Sequence, residues 1–155
     1  YLAGPAWHDR RLTVGVRAGS VEILADRGRR VAELPRAFGE GEPVRSPLSL
    51  IPALVTRPRA FGESPVRRDM PPALVDAIDR LDAAGCRRVL RAISRAAGPS
   101  GFDAACEAAR EALSRGHVPG DAEVDMAARR IAAGGPAGGG ADLSVYDALA
   151  KGEVA

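Results

Sequence analysis

Aromatic side chains are scarce in this chain of 155 residues: one Trp, two Tyr and three Phe. Any core must therefore be filled largely by Ala, Val, Leu and Ile rather than by large rings. Cysteine is almost as rare. Cys86 and Cys106, with His8 and His117 far away in sequence, fit neither a zinc spacing nor a disulfide framework. Each cysteine sits inside a helical pattern and reads as a small buried thiol in a reducing cytosol. No apolar run approaches the ~20 residues that a membrane span needs, and nothing at the start resembles a signal peptide. The chain opens on Tyr1 rather than Met, so it reads as the tail of a longer protein. There is no Gly-rich phosphate loop ending in Lys-Ser/Thr, no GxSxG and no HExxH. Asp76, Asp79 and Asp82 recur every three residues, which suits a solvated helix face better than the converging carboxylates of a metal-dependent nuclease. The sequence thus predicts no catalytic residue and no metal ligand in this segment.

What the chain has instead is arginine. Residues 1–70 hold 12 Arg against 8 Asp and Glu, while residues 71–155 hold 10 Arg and Lys against 12. The first part is the cationic one. Every basic residue but Lys151 is Arg, the side chain suited to bidentate phosphate contacts. A GC-rich genome would produce the same excess, and both explanations stand.

The stretch from Arg10 to Pro35 organises the rest. Leu12, Val14 and Val16 alternate with Thr13, Gly15 and Arg17, the period of a half-buried strand. Ala18-Gly19 offers a tight turn, Val21 to Ile23 alternate again, Asp26-Arg27-Gly28 offers a second turn, and Val31 to Leu34 supply a third run. Arg10, Arg11, Arg17, Arg29, Arg30 and Arg36 stand at its ends and turns and are the candidate DNA contacts. Trp7, just ahead, reads as a plug for the small sheet, with stacking on a base as the alternative.

A short echo follows. Pro35-Arg36-Ala37-Phe38-Gly39-Glu40 recurs as Pro58-Arg59-Ala60-Phe61-Gly62-Glu63, and each copy is followed by Pro-Val-Arg. Two copies are too few for a solenoid. Each Phe is either anchored in the core or set between phosphate-touching loops. Ser46 to Thr56 predicts a short helix capped by Ser46, and Gly62 to Met70 predicts a linker with Arg67-Arg68 exposed. Four helices are then expected: 72–84 ending at Gly85, 87–97 ending at Gly98, 100–114 opened by a Ser100/Asp103 capping box, and 121–133 capped by Asp121. They are Ala-rich and closely linked, which predicts an antiparallel bundle. The arginines on the second helix read as a solvated face. Gly134 to Gly140 reads as a tether, and Leu143, Tyr146 and Leu149 line a short amphipathic segment, either a partner-docking helix or a frayed tail. The expected fold class is α+β: a small antiparallel SH3-like β-barrel or meander (1–45), a short helix and Pro-rich linker (46–70), an α-helical bundle (71–133) and a tethered tail (134–155).

The order of these pieces resembles the C-terminal region of IstA-type insertion-sequence transposases. The residues that carry the likeness are Arg10 to Arg17, Val21-Glu22-Ile23, Val31 to Arg36, Phe38-Gly39, Pro47, Pro71-Pro72-Ala73-Leu74 and the tail from Ala141 to Leu149. Glu33-Leu34 depart from the family's pattern, where a basic residue and His precede Pro-Arg. The resemblance implies that the parent is a DDE transposase using Mg2+, with its catalytic domain upstream of Tyr1, and that this segment needs no cofactor of its own. It implies a barrel like that of phage Mu transposase that helps bind transposon-end or target DNA. It also implies homo-oligomerisation through the full-length parent, and an AAA+ ATPase helper, IstB, as partner of the tail. The competing class is a protein-interaction module that assembles the transposase and recruits its ATPase without touching DNA. A third is an unrelated SH3-like RNA-binding domain.

Overall fold

The alternation between Leu12 and Leu34 folds as an antiparallel meander in the computed structural model, which describes residues 1–39, 41 and 43–134. Strands β1 (Thr13–Val16), β2 (Ser20–Leu24) and β3 (Arg30–Pro35) lie in the order β1-β2-β3. Val14 pairs with Ile23, Val16 with Val21, and Val21 in turn with Leu34. Ala18 and Gly19 form the two-residue loop, closed by the Arg17 N–H donating to the Ser20 carbonyl at 2.8 Å. The second turn needs left-handed backbone at Arg27 (φ 61°) and Gly28 (φ 73°), a conformation that glycine adopts without steric cost. Both expected turns are therefore present. Val21, Ile23 and Leu34 are buried. Val14 and Val16 share their face but are 56% and 62% exposed, against the expectation of a half-buried strand. β1 is an edge of the sheet, so it has a neighbour on one side only.

Helices α1 (Ile51–Thr56), α2 (Pro72–Asp79), α3 (Ala83–Ser100), α4 (Phe102–Ser114) and α5 (Asp121–Ala132) make the second part. The molecule is α+β. The main core lies among these helices, and the buried residues of the sheet stand outside it. Alanine does much of the filling: Ala92 and Ala96 of α3, Ala105 and Ala109 of α4, and Ala128 of α5 are buried. Small side chains let helix axes approach closely, which compensates for the shortage of rings. The expected buried thiols are found, with Cys86 at 6% and Cys106 at 0% exposure.

Several boundaries differ from expectation. Residues 62–70 are not a linker. Single-turn 3-10 segments at Pro58–Phe61 and Pro65–Asp69 place Phe61, Val66 and Met70 in the core. The two echo copies therefore part company, since Phe61 is 2% exposed and Phe38 is 78% exposed. Arg67 is not free either. Its guanidinium grips Asp79 through two bonds of 2.6 and 2.7 Å while lying over the Phe61 ring. Gly85 does not end a helix but sits in the first turn of α3, where its N–H donates to the Asp82 carboxylate at 2.7 Å. A Cβ there would come within 3.1 Å of that carboxylate and 3.2 Å of Leu81 Cβ. The glycine serves close approach, not termination. Likewise α3 runs through Gly98 and Pro99 to Ser100; proline's missing N–H costs one bond in the last turn, and the buried residues from Gly85 to Ala97 anchor the helix before it. Pro52 stands in the first turn of α1, where a missing N–H costs little. Ser46 caps nothing with its side chain, and Gly101 rather than Ser100 precedes α4. Leu143, Tyr146 and Leu149 lie outside the described residues.

Candidate nucleic-acid interface

The polar face of the sheet explains two of the candidate arginines. Glu22 and Glu33 lie directly across from each other on β2 and β3, a pairing that like charges would destabilise. Arg17 donates to Glu22 at 2.8 Å and Arg30 to Glu33 at 2.7 Å, with Arg30 also 3.9 Å from Glu22. The four side chains form an alternating ladder. The hydrogen bond to Glu22, with its charge, raises the Arg17 pKa further above its ordinary value. These two guanidiniums are matched by carboxylates on their own sheet.

Arg36 is engaged differently. It donates to the Arg17 carbonyl at 3.1 Å and lies 4.9 Å from the centre of the Phe38 ring. Its backbone N–H bonds Gly19, which places it with Arg17 at the β1–β2 hairpin end.

Arg10, Arg11 and Arg29 gather at the opposite end, about 13 Å away along the strands. Pro5–Trp7 makes a single 3-10 turn, and the Arg10 N–H donates to the Trp7 carbonyl at 3.2 Å. This swings the lead-in against the β2–β3 turn. Arg29 lies 5.0 Å over the Trp7 ring, a cation–π contact. Trp7 is half-buried, with Arg29 over its ring. Trp7, Arg10, Arg11, Asp26 and Arg29 line an open cleft of about 380 Å³. Arg27 and Arg11 line a second cleft on the other side of Asp26. Arg10, Arg11 and Arg27 have no carboxylate partner among the described residues, and all are exposed. Arg27 was legible only as a turn residue. Its membership of this group comes from the left-handed backbone that turns it towards Arg11.

Of the six arginines expected from sequence, the structure brings Arg10, Arg11 and Arg29 together. It sets Arg17 and Arg36 at the other end, and holds Arg30 on the polar face. The chain matches no family model, no curated protein and no solved structure. The site must therefore be read from its own chemistry.

Elsewhere many of the charges are structural, although Arg57, Arg59, Arg68, Arg80 and Arg88 are also exposed without a carboxylate partner among the described residues. Arg91 and Arg95 of α3 both reach Asp121, and Arg87 donates to the Val55 carbonyl at 3.1 Å. Asp121 therefore joins α5 to α3 instead of capping its own helix. Arg45 bonds Asp69 at 2.5 Å and the Pro65 carbonyl at 3.1 Å, tying the loop after β3 to the helical part. Another cleft, of about 650 Å³, runs between β3 and the start of α1 past Trp7, Val31, Leu48 and Pro52. Its charged lining is the Arg30–Glu33 pair, already matched. Among the described residues no group of three or more His, Cys, Asp or Glu could hold a metal, and no helix is long and apolar enough to cross a membrane.

Proposed function

We propose that this chain is a non-catalytic DNA-contacting and assembly segment of a cytoplasmic DDE transposase of the IstA type, acting in transposition. The observation that carries the reading is the group Arg10, Arg11, Arg27 and Arg29 around Trp7. Four exposed guanidiniums without carboxylate partners among the described residues, in the lead-in and at the β2–β3 turn, suit phosphate oxygens, and such contacts position a protein on a duplex without reading its sequence. The likeness in motif order supplies the rest of the proposal. The catalytic domain and its Mg2+ belong to the parent upstream of Tyr1. The IstB-type ATPase is the partner of the tail, and the parent is a homo-oligomer.

The test is affinity for duplex DNA of unrelated sequences, measured against salt. Each neutralised phosphate contributes about −0.9 to the slope of log K against log salt. Neutralising Arg10, Arg11, Arg27 and Arg29 together should make the slope less steep by about 3.6. Arg17→Ala with Arg30→Ala should leave it nearly unchanged, because Glu22 and Glu33 already neutralise them. No binding at about 50 mM salt, or equal effects of the two variants, would remove the proposal. The protein-interaction alternative finds its own support in the exposed Val14 and Val16.

A further inference from the structure

β1 is an edge of the sheet, and its outer side has no backbone partner among the described residues. Which groups face outward follows from the hairpin. Arg17 and Ser20 form the hydrogen-bonded pair that closes the loop. Bonded and non-bonded pairs alternate along an antiparallel ladder. Gly15–Glu22 and Thr13–Leu24 are therefore the bonded pairs, and the N–H and C=O of Val14 and Val16 point away from β2. The same two residues carry side chains 56% and 62% exposed. Protein edges are usually blunted by shortness, by charged side chains, by Pro or by a bulge. Leu12 to Val16 is short but carries no charge, Pro or bulge, and the irregularity of this sheet lies between β2 and β3, at Ile23/Leu24.

We propose that β1 is a homodimer contact, in which two copies pair β1 to β1 antiparallel about a twofold axis at Gly15 and form a six-stranded sheet. Val14-Gly15-Val16 reads the same in either direction. Setting Val14 against Val16 of a second copy makes both into hydrogen-bonded pairs using the outward groups. Gly15 then faces Gly15 of the second copy in the narrow pair between them, where no side chains collide. All four valines fall on the face of Val21, Ile23 and Leu34 and extend its apolar stripe. Charge disfavours one neighbouring register. Val14 against Val16 sets Arg17 opposite Thr13 and Arg11 opposite Gly19. Sliding to Val14 against Val14 would instead set Arg11 opposite Arg17, a like-charge pairing. The strand is four residues long. The contact is well below the area of a standard interface, so the dimer is weak, with a Kd on the order of 0.1 mM.

Sedimentation equilibrium of the whole chain, up to about 1 mM, should show a reversible dimer. Val14→Pro removes an outward N–H without breaking a β1–β2 bond, and should raise the Kd at least about tenfold with the helical circular dichroism unchanged. Val14→Lys with Val16→Lys leaves the backbone intact and should do the same. With oxidised glutathione as the oxidant, itself reduced to two thiols, Gly15→Cys should cross-link two copies, since facing Cα atoms in a narrow pair are about 4.5 Å apart. The fold accepts that Cβ, whose nearest neighbour is Glu22 Oε2 at 3.8 Å. Thr13→Cys should cross-link much more slowly. A chain monomeric throughout, a dimer indifferent to both Val14 variants, or equal cross-linking through the two cysteine variants would overturn the proposal. So would a monomer whose β1 amides are protected from exchange only by an added heterologous strand peptide.

Discussion

Glu111→Gln should destabilise the helical part by about 2 kcal/mol. Glu111 is 6% exposed in α4, with its Oε2 3.3 Å from Arg130 Nη2 of α5 and 3.5 Å from Arg115 Nη2. At an effective dielectric of about 20, one such pair attracts by roughly 5 kcal/mol before desolvation. Burying the carboxylate offsets most of that. Removing a single member of a buried pair costs about 3–5 kcal/mol because the other charge is stranded. Here the Arg130 side chain is 36% exposed and Arg115 is 53% exposed, so both can turn partly to water and the cost falls below that range. Replacing both partners, Glu111→Met with Arg130→Met, exchanges the pair for apolar side chains of similar length and should recover part of the loss. Urea unfolding followed by far-UV circular dichroism gives both values, with the slope against urea unchanged between variants. A Glu111→Gln loss under about 0.5 kcal/mol, or a double variant less stable than the single one, would refute the reasoning.

The two phenylalanines of the echo should behave oppositely. Phe61→Ala should cost about 3–4 kcal/mol, since Phe61 is 2% exposed, and Phe38→Ala under about 0.5 kcal/mol, since Phe38 is 78% exposed; equal losses in chemical unfolding would contradict the assignment of one to the core. Burial pushes the Cys106 thiol up to about 12, and the Cys86 thiol also upward, so neither should react with a thiol reagent at mild alkaline pH until urea unfolds the chain. Labelling of native Cys86 at a free-thiol rate would show that the helices open there. The bond from Arg67 holds the Asp79 carboxyl below its ordinary 3.8. Its contribution is complete above that pH and is lost as pH falls through the lower folded value. The stability gap between the wild type and Arg67→Met should therefore close on acidification below 3.8. Because the Asp79 side chain is 43% exposed, the gap should be under about 1 kcal/mol at neutral pH, and a gap that widened in acid would reverse the sign assigned here.

The sequence by itself determined the meander, both of its turns, the helical second part and the burial of the two thiols. Each rests on local signals: alternation at period two, apolar residues at period 3.6, and Gly-containing turns between the runs. It also held an unread clue. The alternation that put Val14 and Val16 on one face put Arg17 and Glu22 on the other, so the charge ladder was implicit once the two-residue loop fixed the register. Only the tertiary structure decided which apolar residues are covered. Phe38 and Phe61 share one hexapeptide, and Val14 and Val21 share one sheet face, yet one of each pair is buried and the other is not. Burial depends on what arrives from elsewhere in the chain, and no local pattern carries that information. The same holds for the arginines. Asp121, Asp79 and Glu22 claim some of them from distant or neighbouring elements, and only the fold sets Arg10, Arg11 and Arg29 beside Trp7.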